Sequence, residues 1–288
     1  MKLIDISPLW QEYELLDSGN FEKLERFGDF VLARPEPQAL WDKSMSELEW
    51  QKMAHATFAR DAKNPEKGLW SLKPSMKEQW LLPYSSGGLH LKFRLGLSAF
   101  KHVGLFPEQA DNWNFIYERC RKFEQAKVLN LFAYTGGASL AAKAAGADIT
   151  HLDSIKQCIS WARENMEASK LDGIRWMVED AFKFVKREVK RGNKYQGIIL
   201  DPPAYGRGPE GEKWVLEDNL TETLKNCASM LDDKGFLVLN LYSMGYSALQ
   251  AETLITSVFG KRASLEIGEF YFQDKFYKKL PLGLFVRF

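Results

Sequence analysis

From residue 127 onward, short apolar runs alternate with longer stretches of helical spacing, and this alternation constrains the fold more than any other feature. The apolar runs predict strands at 127–132, 147–153, 174–178, 195–200 and 235–241. The intervening stretches predict helices at 138–145, 156–170, 181–190 and 216–231. Strands joined by helices form right-handed βαβ units, whose parallel sheet is covered by helices on both faces. Apolar runs near 270–272 and 282–288 predict a closing antiparallel hairpin.

Residues 1–98 carry a different pattern, in which short alternating runs lie between turn signals. Runs at 79–84 and 89–95 flank Ser85-Ser86-Gly87-Gly88, a sequence typical of a hairpin turn. One helix is expected at 44–58. We therefore predict a small β-rich domain over 1–98, a candidate for substrate recognition, followed by an α/β domain over 99–288.

Charge and cysteine content exclude several classes of protein. Lys and Arg number 39 against 38 Asp and Glu, so bulk charge alone does not hold this chain on nucleic acid. Cys120, Cys158 and Cys227 are too widely spaced for a zinc or disulfide framework, and the four His are scattered. We expect no metal site and a reduced, cytoplasmic protein. The N-terminus lacks a signal-peptide pattern, and no apolar stretch predicts a membrane span.

The loop after the first strand of the α/β domain runs from Asn130 to Gly137. Ligands of open α/β sheets bind beyond the carboxyl ends of the strands, so the residues there indicate the ligand. Glycine permits close approach, and the following helix N-terminus offers N–H groups to an anion. The GxGxxG fingerprint is absent, which disfavours a nucleotide-dependent oxidoreductase and favours a ligand with a carboxylate. A plain strand-to-helix turn is the alternative.

Two aspartates follow the next two strands. Asp153 ends the second strand, where a carboxylate can accept hydrogen bonds from both ribose hydroxyls of an adenosine. Asp180 follows the third strand and could accept a hydrogen bond from an adenine amino group. Both positions also suit a simple helix cap, with Ser154 as a further capping candidate.

The fourth strand ends in Asp201-Pro202-Pro203-Ala204-Tyr205-Gly206-Arg207-Gly208, the most informative segment of the chain. The prolines fix the backbone and remove two N–H donors, so that the local carbonyls are held with no donor competing for them. A carboxylate beside fixed carbonyls accepts hydrogen bonds from a substrate N–H. Tyr205 could stack on a planar base, and Arg207 could reach a phosphate. The alternative is a rigid loop whose tyrosine packs in the core.

At these residues the chain resembles class I S-adenosylmethionine-dependent methyltransferases. It is similar to the bacterial branch that methylates large-subunit ribosomal RNA and carries a β-rich domain before the catalytic one. The resemblance rests on ordered motifs, LNLFAYTGG, HLDSIKQCISWARENMEASKLDG, EDAF, ILDPPAYGRG and, in the first domain, LERFGDFVLARPEPQALW. It implies a Rossmann-like methyltransferase sheet, S-adenosylmethionine as cofactor and RNA, ribosomal RNA in particular, as partner.

The resemblance also assigns roles. The cofactor-binding residues that it implies are Phe106, Gln109, Asn130, Phe132, Tyr134, Thr135, Gly136, Asp153, Ser154, Asp180 and Ala181. The loop after the first strand would hold the methionine part, Asp153 the ribose and Asp180 the adenine. Phe106 and Gln109 belong to a segment that would close over the cofactor. The implied catalytic wall, which lines the methyl-acceptor pocket, consists of Asp201, Pro202, Pro203 and Tyr205.

One departure from the family concerns cysteine. Members that methylate carbon 5 of a pyrimidine need a cysteine nucleophile after the fourth or fifth strand. Here those places contain DPPAYGRG and Leu239–Met244, without cysteine, and Cys227 has apolar neighbours on a predicted helix. We expect no covalent intermediate and a nitrogen acceptor. Ala204 is an extra residue relative to the tighter motif in which an aromatic residue directly follows the two prolines. The acceptor can therefore be either an exocyclic amine or a ring nitrogen.

Direct evidence for RNA binding in the sequence is modest. A basic stripe of Lys183, Lys186, Arg187, Lys190, Arg191 and Lys194 is also typical of the solvated face of an amphipathic helix. Basic residues between Lys52 and Lys77 lie near Trp50, Trp70 and Trp80, which could contact RNA or fill a core. A methyltransferase for a small molecule or protein amine, and an inactive RNA-binding module, remain alternatives. The sequence leaves the nucleotide and the oligomeric state open.

Overall fold

The computed structural model describes residues 1–61, 67–242 and 245–288. Two compact units are present. The larger comprises Met1–Ile4, Asp111–Phe270 and Gly283–Phe288, and the smaller comprises Asp5–Ala110 and Tyr271–Leu282. The functional boundary at residue 98 stays a prediction.

The strands and helices are numbered in chain order. The strands are β1 (Lys2–Asp5), β2 (Tyr13–Gly19), β3 (Glu22–Phe27), β4 (Phe30–Pro35), β5 (Ala56–Arg60), β6 (Gly68–Leu72), β7 (Gln79–Ser86), β8 (Leu89–Gly96), β9 (Lys127–Leu131), β10 (Asp148–Asp153), β11 (Arg175–Val178), β12 (Tyr195–Leu200), β13 (Tyr205–Arg207), β14 (Lys213–Val215), β15 (Leu231–Leu241), β16 (Glu266–Gln273) and β17 (Lys279–Arg287). The helices are α1 (Glu47–Met53), α2 (Ala110–Cys120), α3 (Gly137–Ala144), α4 (Lys156–Ala168), α5 (Ala181–Lys190), α6 (Leu216–Met230) and α7 (Ala248–Phe259). Within the described ranges, no helix is both long and apolar enough to span a bilayer.

An eight-stranded sheet has the order β1-β16-β17-β15-β12-β9-β10-β11. Strands β9, β10, β11, β12 and β15 pair in parallel, whereas β17 runs antiparallel to β15, with Val238 opposite Arg287. The order reverses between β9 and β12, where the chain crosses from one half of the sheet to the other. In such sheets the crevice at the reversal binds ligands. The predicted parallel sheet with an antiparallel C-terminal hairpin is confirmed.

The central strands are apolar because helices cover them on both sides. Ile198, Ile199 and Leu200 of β12 are buried, as are their neighbours on β9 and β15. Gly197 interrupts this run for a packing reason, since a Cβ there would lie 2.4 Å from the Phe236 ring. The resulting rigid layer fixes where each strand ends.

The smaller unit contains a five-stranded sheet of order β2-β3-β4-β5-β6 and the separate hairpin β7–β8. The predicted β-rich character of this region is confirmed. Trp50 and Trp80 are buried, and the Trp50 indole N–H donates to Asp17 at 2.8 Å, so these two rings serve packing. Trp70 is half-buried. Of the basic residues between 52 and 77, Lys63 lies outside the described residues.

Several sequence predictions differ from the structure. The helix expected at 44–58 begins at Glu47, after a capping box formed by Ser46 and Glu49, and ends at Met53. Its predicted end is wrong because Ala56–Arg60 pairs with two neighbouring strands as β5. Strand β15 begins at Leu231, directly after α6, and not at 235. Helices α2 and α7 and the hairpin β13–β14 were not predicted.

Candidate active site at the strand ends

The loop after β9, residues 130–137, which we call the glycine loop, has a strained backbone conformation. Phe132 and Tyr134 have φ of 56° and 49°, and Gly136 has φ of 94°. Left-handed backbone is uncommon for non-glycine residues and persists where the surrounding structure enforces it. Two such residues within three positions, directly beyond a buried parallel strand, indicate a loop shaped for a ligand. The loop leads into α3, whose first residue is Gly137.

Asp153 fastens this loop to the end of β10. One oxygen, Oδ2, accepts the Tyr134 backbone N–H at 2.8 Å, and Oδ1 accepts the Ile155 N–H at 2.8 Å. The side chain is 8% exposed, and burial raises the pKa of Asp153 although these N–H groups act in the opposite direction. A carboxylate has about four acceptor positions, so both oxygens can still accept hydroxyl donors from a ligand.

Asp180 caps α5, as its alternative interpretation proposed. Its Oδ1 accepts the Lys183 backbone N–H at 2.8 Å, and the residue is buried. Ala181 is the buried first residue of α5, and Ser154 is half-buried between β10 and α4. The Glu179 N–H donates to the Asp153 carbonyl at 3.2 Å, which joins the ends of β10 and β11.

The segment after β12 lies against the end of β9. The Asp201 backbone N–H is 3.4 Å from the Leu131 carbonyl, Asp201 is half-buried, Pro202 is buried and Pro203 is exposed. The expectation that no donor competes for the local carbonyls is wrong at two of them, since the Leu216 backbone N–H donates to the Ala204 carbonyl at 3.0 Å. The Trp214 indole N–H donates to the Pro203 carbonyl at 2.7 Å, because the unpredicted hairpin β13–β14 folds back over the prolines.

Trp214 is a residue that the sequence interpretation missed, and it connects two parts of the site. Its ring is buried and lies 4.7 Å from the Phe132 ring, centroid to centroid. On the same hairpin, a Cβ at Gly208 would lie 3.0 Å from the Asp180 Cβ, so glycine permits this close approach. These contacts bring the ends of β9, β10, β11 and β12 together at one edge of the sheet, and that they form one ligand site stays a prediction.

Tyr205 begins β13 and is 52% exposed. The alternative of a tyrosine packed in the core is therefore excluded. Tyr205 lies two residues after Pro203, and its contact with a substrate stays a prediction.

Hydrogen bonds connect three buried polar side chains next to the glycine loop, those of Asn130, Ser139 and His151. The Asn130 Nδ2 donates to Ser139 Oγ at 2.9 Å, and Ser139 Oγ is 2.9 Å from His151 Nδ1. Since the Ser139 hydroxyl accepts from Asn130, it can donate its one proton to His151. Burial lowers the pKa of His151 to about 3, so the ring is neutral. Asn130 therefore uses its amide N–H inside the protein, and its contact with a cofactor stays a prediction.

The remaining predicted ligands have varied positions. Thr135 is buried, and its carbonyl accepts the Asn165 side-chain amide at 2.9 Å. Phe106 precedes a short 3₁₀ turn, Pro107–Gln109, in which Gln109 is buried. Both belong to the smaller unit, so they are not among the residues that the strand ends bring together, and their contact with a cofactor stays a prediction.

The three cysteines are poor nucleophiles. Cys227 is fully buried on α6, and burial raises its pKa to about 12. Burial also raises the pKa of Cys120 and of Cys158 to about 12. A thiol with such a pKa is protonated near neutral pH, and the thiolate is the reactive form.

Comparisons with known proteins indicate the family of this chain. A family model of S-adenosylmethionine-dependent methyltransferases matches residues 74–265. The crystal structure of an S-adenosylmethionine-dependent methyltransferase from Agrobacterium tumefaciens is 38% identical, with a TM-score of 0.90 over 100% of this chain and 93% of that one.

Two curated relatives carry names that refer to ribosomal RNA. Ribosomal RNA large subunit methyltransferase K/L of Shewanella frigidimarina is 29% identical over 153 residues, or 52% of this chain and 21% of that protein. Ribosomal RNA large subunit methyltransferase I of Escherichia coli is 34% identical over 128 residues, or 43% of this chain and 31% of that protein. The matches thus span a third or less of these relatives. The family model covers most of the present chain, which confirms the resemblance seen in the sequence: the chain belongs to the S-adenosylmethionine-dependent methyltransferase family.

Proposed function

We propose that this protein transfers a methyl group from S-adenosylmethionine to a base nitrogen in structured RNA, with ribosomal RNA as the substrate class and the cytoplasm as its location. The observation that carries the proposal is the contact between the Asp201-Pro202-Pro203 wall and the glycine loop, made through Trp214 and Phe132. An acceptor on this wall would lie beside a cofactor held by the loop. The names of the relatives support the RNA part.

The residues present suit S-adenosylmethionine. Asp153 retains acceptor capacity for the two ribose hydroxyls, and the N-terminus of α3 suits a carboxylate. Asp180 would accept the adenine amine. The bound cofactor would supply an electrophilic methyl group on a sulfonium.

On the acceptor side, the protein mainly has to position the nucleophile. As the N–C bond forms, the S–C bond breaks and S-adenosylhomocysteine leaves; the positive charge passes to the nitrogen, which then releases its proton to solvent. Alignment of the nitrogen with the methyl group would therefore contribute more than acid–base chemistry. The Asp201 carboxylate would accept an N–H of the acceptor, and Tyr205 would stack on its ring. The raised pKa values of Cys120, Cys158 and Cys227 support a route without a covalent cysteine intermediate.

One observation favours a small molecule or protein amine as the acceptor instead. Four of the six cations of the basic stripe are already paired within the protein, Lys183 with Glu210 and Glu212, Lys186 with Glu222, Arg187 with Glu179, and Arg191 with Glu188. Their charge is therefore less available to RNA than the sequence suggests.

Radiolabelled methyl transfer to total RNA and to a protein extract, followed by nucleoside analysis, tests the proposal. Label in an N-methylated nucleoside is expected. Asp201→Asn should abolish the transfer and keep the affinity for S-adenosylhomocysteine, which shows that the cofactor site is intact. Label in protein alone, or full activity of Asp201→Asn, would contradict the proposal.

A second experiment tests the acceptor atom. RNA containing 5-fluoropyrimidines should form no covalent adduct with the protein, because no cysteine attacks the base. A stable adduct would overturn the nitrogen acceptor.

A further inference from the structure

The hairpin β13–β14 has two different faces. Trp214 points inward and is buried, and strand alternation places its neighbour Lys213 on the outer face. Arg207 lies directly opposite Lys213, and Tyr205 is two residues before Arg207, on the same face. All three outer side chains are exposed.

This outer face carries an uncompensated pair of cations. Like charges directly opposite each other destabilise an antiparallel pair. Within the described parts of the chain, the side chains of Arg207 and Lys213 form neither an ion pair nor a hydrogen bond. The carboxylates of the hairpin turn, Glu210 and Glu212, contact Lys183 on α5 and so do not neutralise the pair.

The difference from α5 is informative. There, Lys186 pairs with Glu222 at 2.9 Å, and Arg187 pairs with Glu179 through both guanidinium ends. Three of the four cations on the helix next to the site are thus paired, and Lys190 is the exception, whereas among the described residues both cations of the hairpin that follows the acceptor wall lack a carboxylate partner. A polyanion is the partner that such a pair complements, and an exposed aromatic ring beside it suits an unstacked base.

We propose that the outer face of β13–β14 binds an unpaired segment of the RNA substrate, with the Tyr205 ring on the acceptor base, as in the proposed function, and Arg207 and Lys213 on the phosphates that flank this base. This inference rests on the proposed RNA methyltransferase function and adds how the substrate is held. The segment is single-stranded because a base within a duplex cannot be stacked on a protein ring without leaving its neighbours.

The test compares Arg207→Gln, Lys213→Gln and the double variant with Lys186→Gln, a control that removes a paired cation from the same unit. Binding of a short single-stranded RNA to the full-length protein with S-adenosylhomocysteine is followed by fluorescence anisotropy across a salt series. For single strands each phosphate contact contributes about 0.7 to the slope of log affinity against log salt, or about fourfold in affinity at about 0.15 M salt.

Each hairpin variant should therefore bind about fourfold more weakly and lower the slope by about 0.7, and the double variant about fifteenfold more weakly. Lys186→Gln should bind as the wild type does. Tyr205→Ala should weaken binding more than Tyr205→Phe, because the ring and not the hydroxyl makes the contact. The melting temperature of the cation variants should stay level or rise, since a repulsive pair is removed.

The outcomes that overturn the inference are distinct from failure of the proposed function. Absence of methyl transfer to any RNA by the wild type contradicts the function. If the wild type methylates RNA but the hairpin variants keep its affinity and salt slope, only this inference fails. Competition by polyglutamate as effective as that by RNA of equal charge would likewise overturn it, because the face would then recognise an acidic peptide.

Discussion

Replacing Trp214 by phenylalanine should slow methyl transfer and leave cofactor binding nearly unchanged. Phenylalanine keeps an aromatic ring near Phe132 but lacks the indole N–H that donates to the Pro203 carbonyl at 2.7 Å. The Asp201-Pro202-Pro203 segment, which positions the acceptor, would therefore lose the hydrogen bond that holds Pro203. The hydrogen bonds of Asp153 would stay in place.

The structure sets the size of the effect. A hydrogen bond contributes about 0.5–1.5 kcal/mol net, and Pro203 is exposed, so water can hydrate the freed carbonyl and keep the loss in this range. With the smaller ring, we expect a total of about 1–2 kcal/mol of stability, or a fall in Tm of about 2–8 °C. If the hydrogen-bond energy alone is lost from the positioned state, kcat falls about 2- to 13-fold.

The assay is kcat at saturating cofactor and acceptor, together with the Kd of S-adenosylhomocysteine by calorimetry. Trp50→Phe is the matched control, because its indole N–H donates to Asp17 in the smaller unit, and its loss lowers stability without touching the strand-end site. At a temperature where both variants are folded, Trp50→Phe should keep the wild-type kcat. A Trp214→Phe protein that also keeps it would refute the positioning role.

Three further predictions concern Asp153 and the buried contact between Ser139 and His151. Asp153→Asn should weaken S-adenosylhomocysteine binding about 10- to 100-fold in calorimetry, because its NH₂ would face the backbone N–H of Tyr134 or Ile155 and could not accept ribose hydroxyls; an unchanged Kd would remove Asp153 from the site. Because burial raises the pKa of Asp153 and hydroxyl donors stabilise its ionised form, cofactor affinity should rise as pH increases through that pKa and fall below it; a pH profile identical to that of Asp153→Asn would contradict this linkage. Ser139→Ala should lower the free energy of unfolding by about 1–3 kcal/mol in denaturant titrations, since His151 loses its buried partner, and a smaller loss would show that the ring finds another.

The sheet and much of the candidate site could be predicted because both follow from local patterns. Apolar runs separated by helices fix the parallel strands, and parallel topology brings their polar ends to one edge. The sequence alone therefore predicts that Asp153 and Asp201 lie at the same edge of the sheet as the glycine loop. The inward use of Asn130 could not be predicted, because its partner Ser139 is on the next helix and only the packing of β9 against α3 brings them together.

Local sequence patterns do not predict the hairpin β13–β14. Its strands have three residues each, and the segment between them is rich in glycine and charge, so the sequence predicts a loop. The register alone makes Trp214 a partner of Pro203, eleven residues away, and puts Arg207 opposite Lys213.

The register of β13 and β14 also determines which cations of the chain lie close together without a carboxylate partner among the described residues. The densest cationic run of the sequence is the basic stripe, but four of its six cations pair with carboxylates of the folded protein. Arg207 and Lys213 are separated in the sequence by acidic residues, yet the hairpin turns those residues toward Lys183 and leaves the two cations side by side. Because screening by salt acts mainly on exposed, unpaired charges, Arg207 and Lys213 should contribute more to the salt dependence of RNA binding than the paired cations of the basic stripe do.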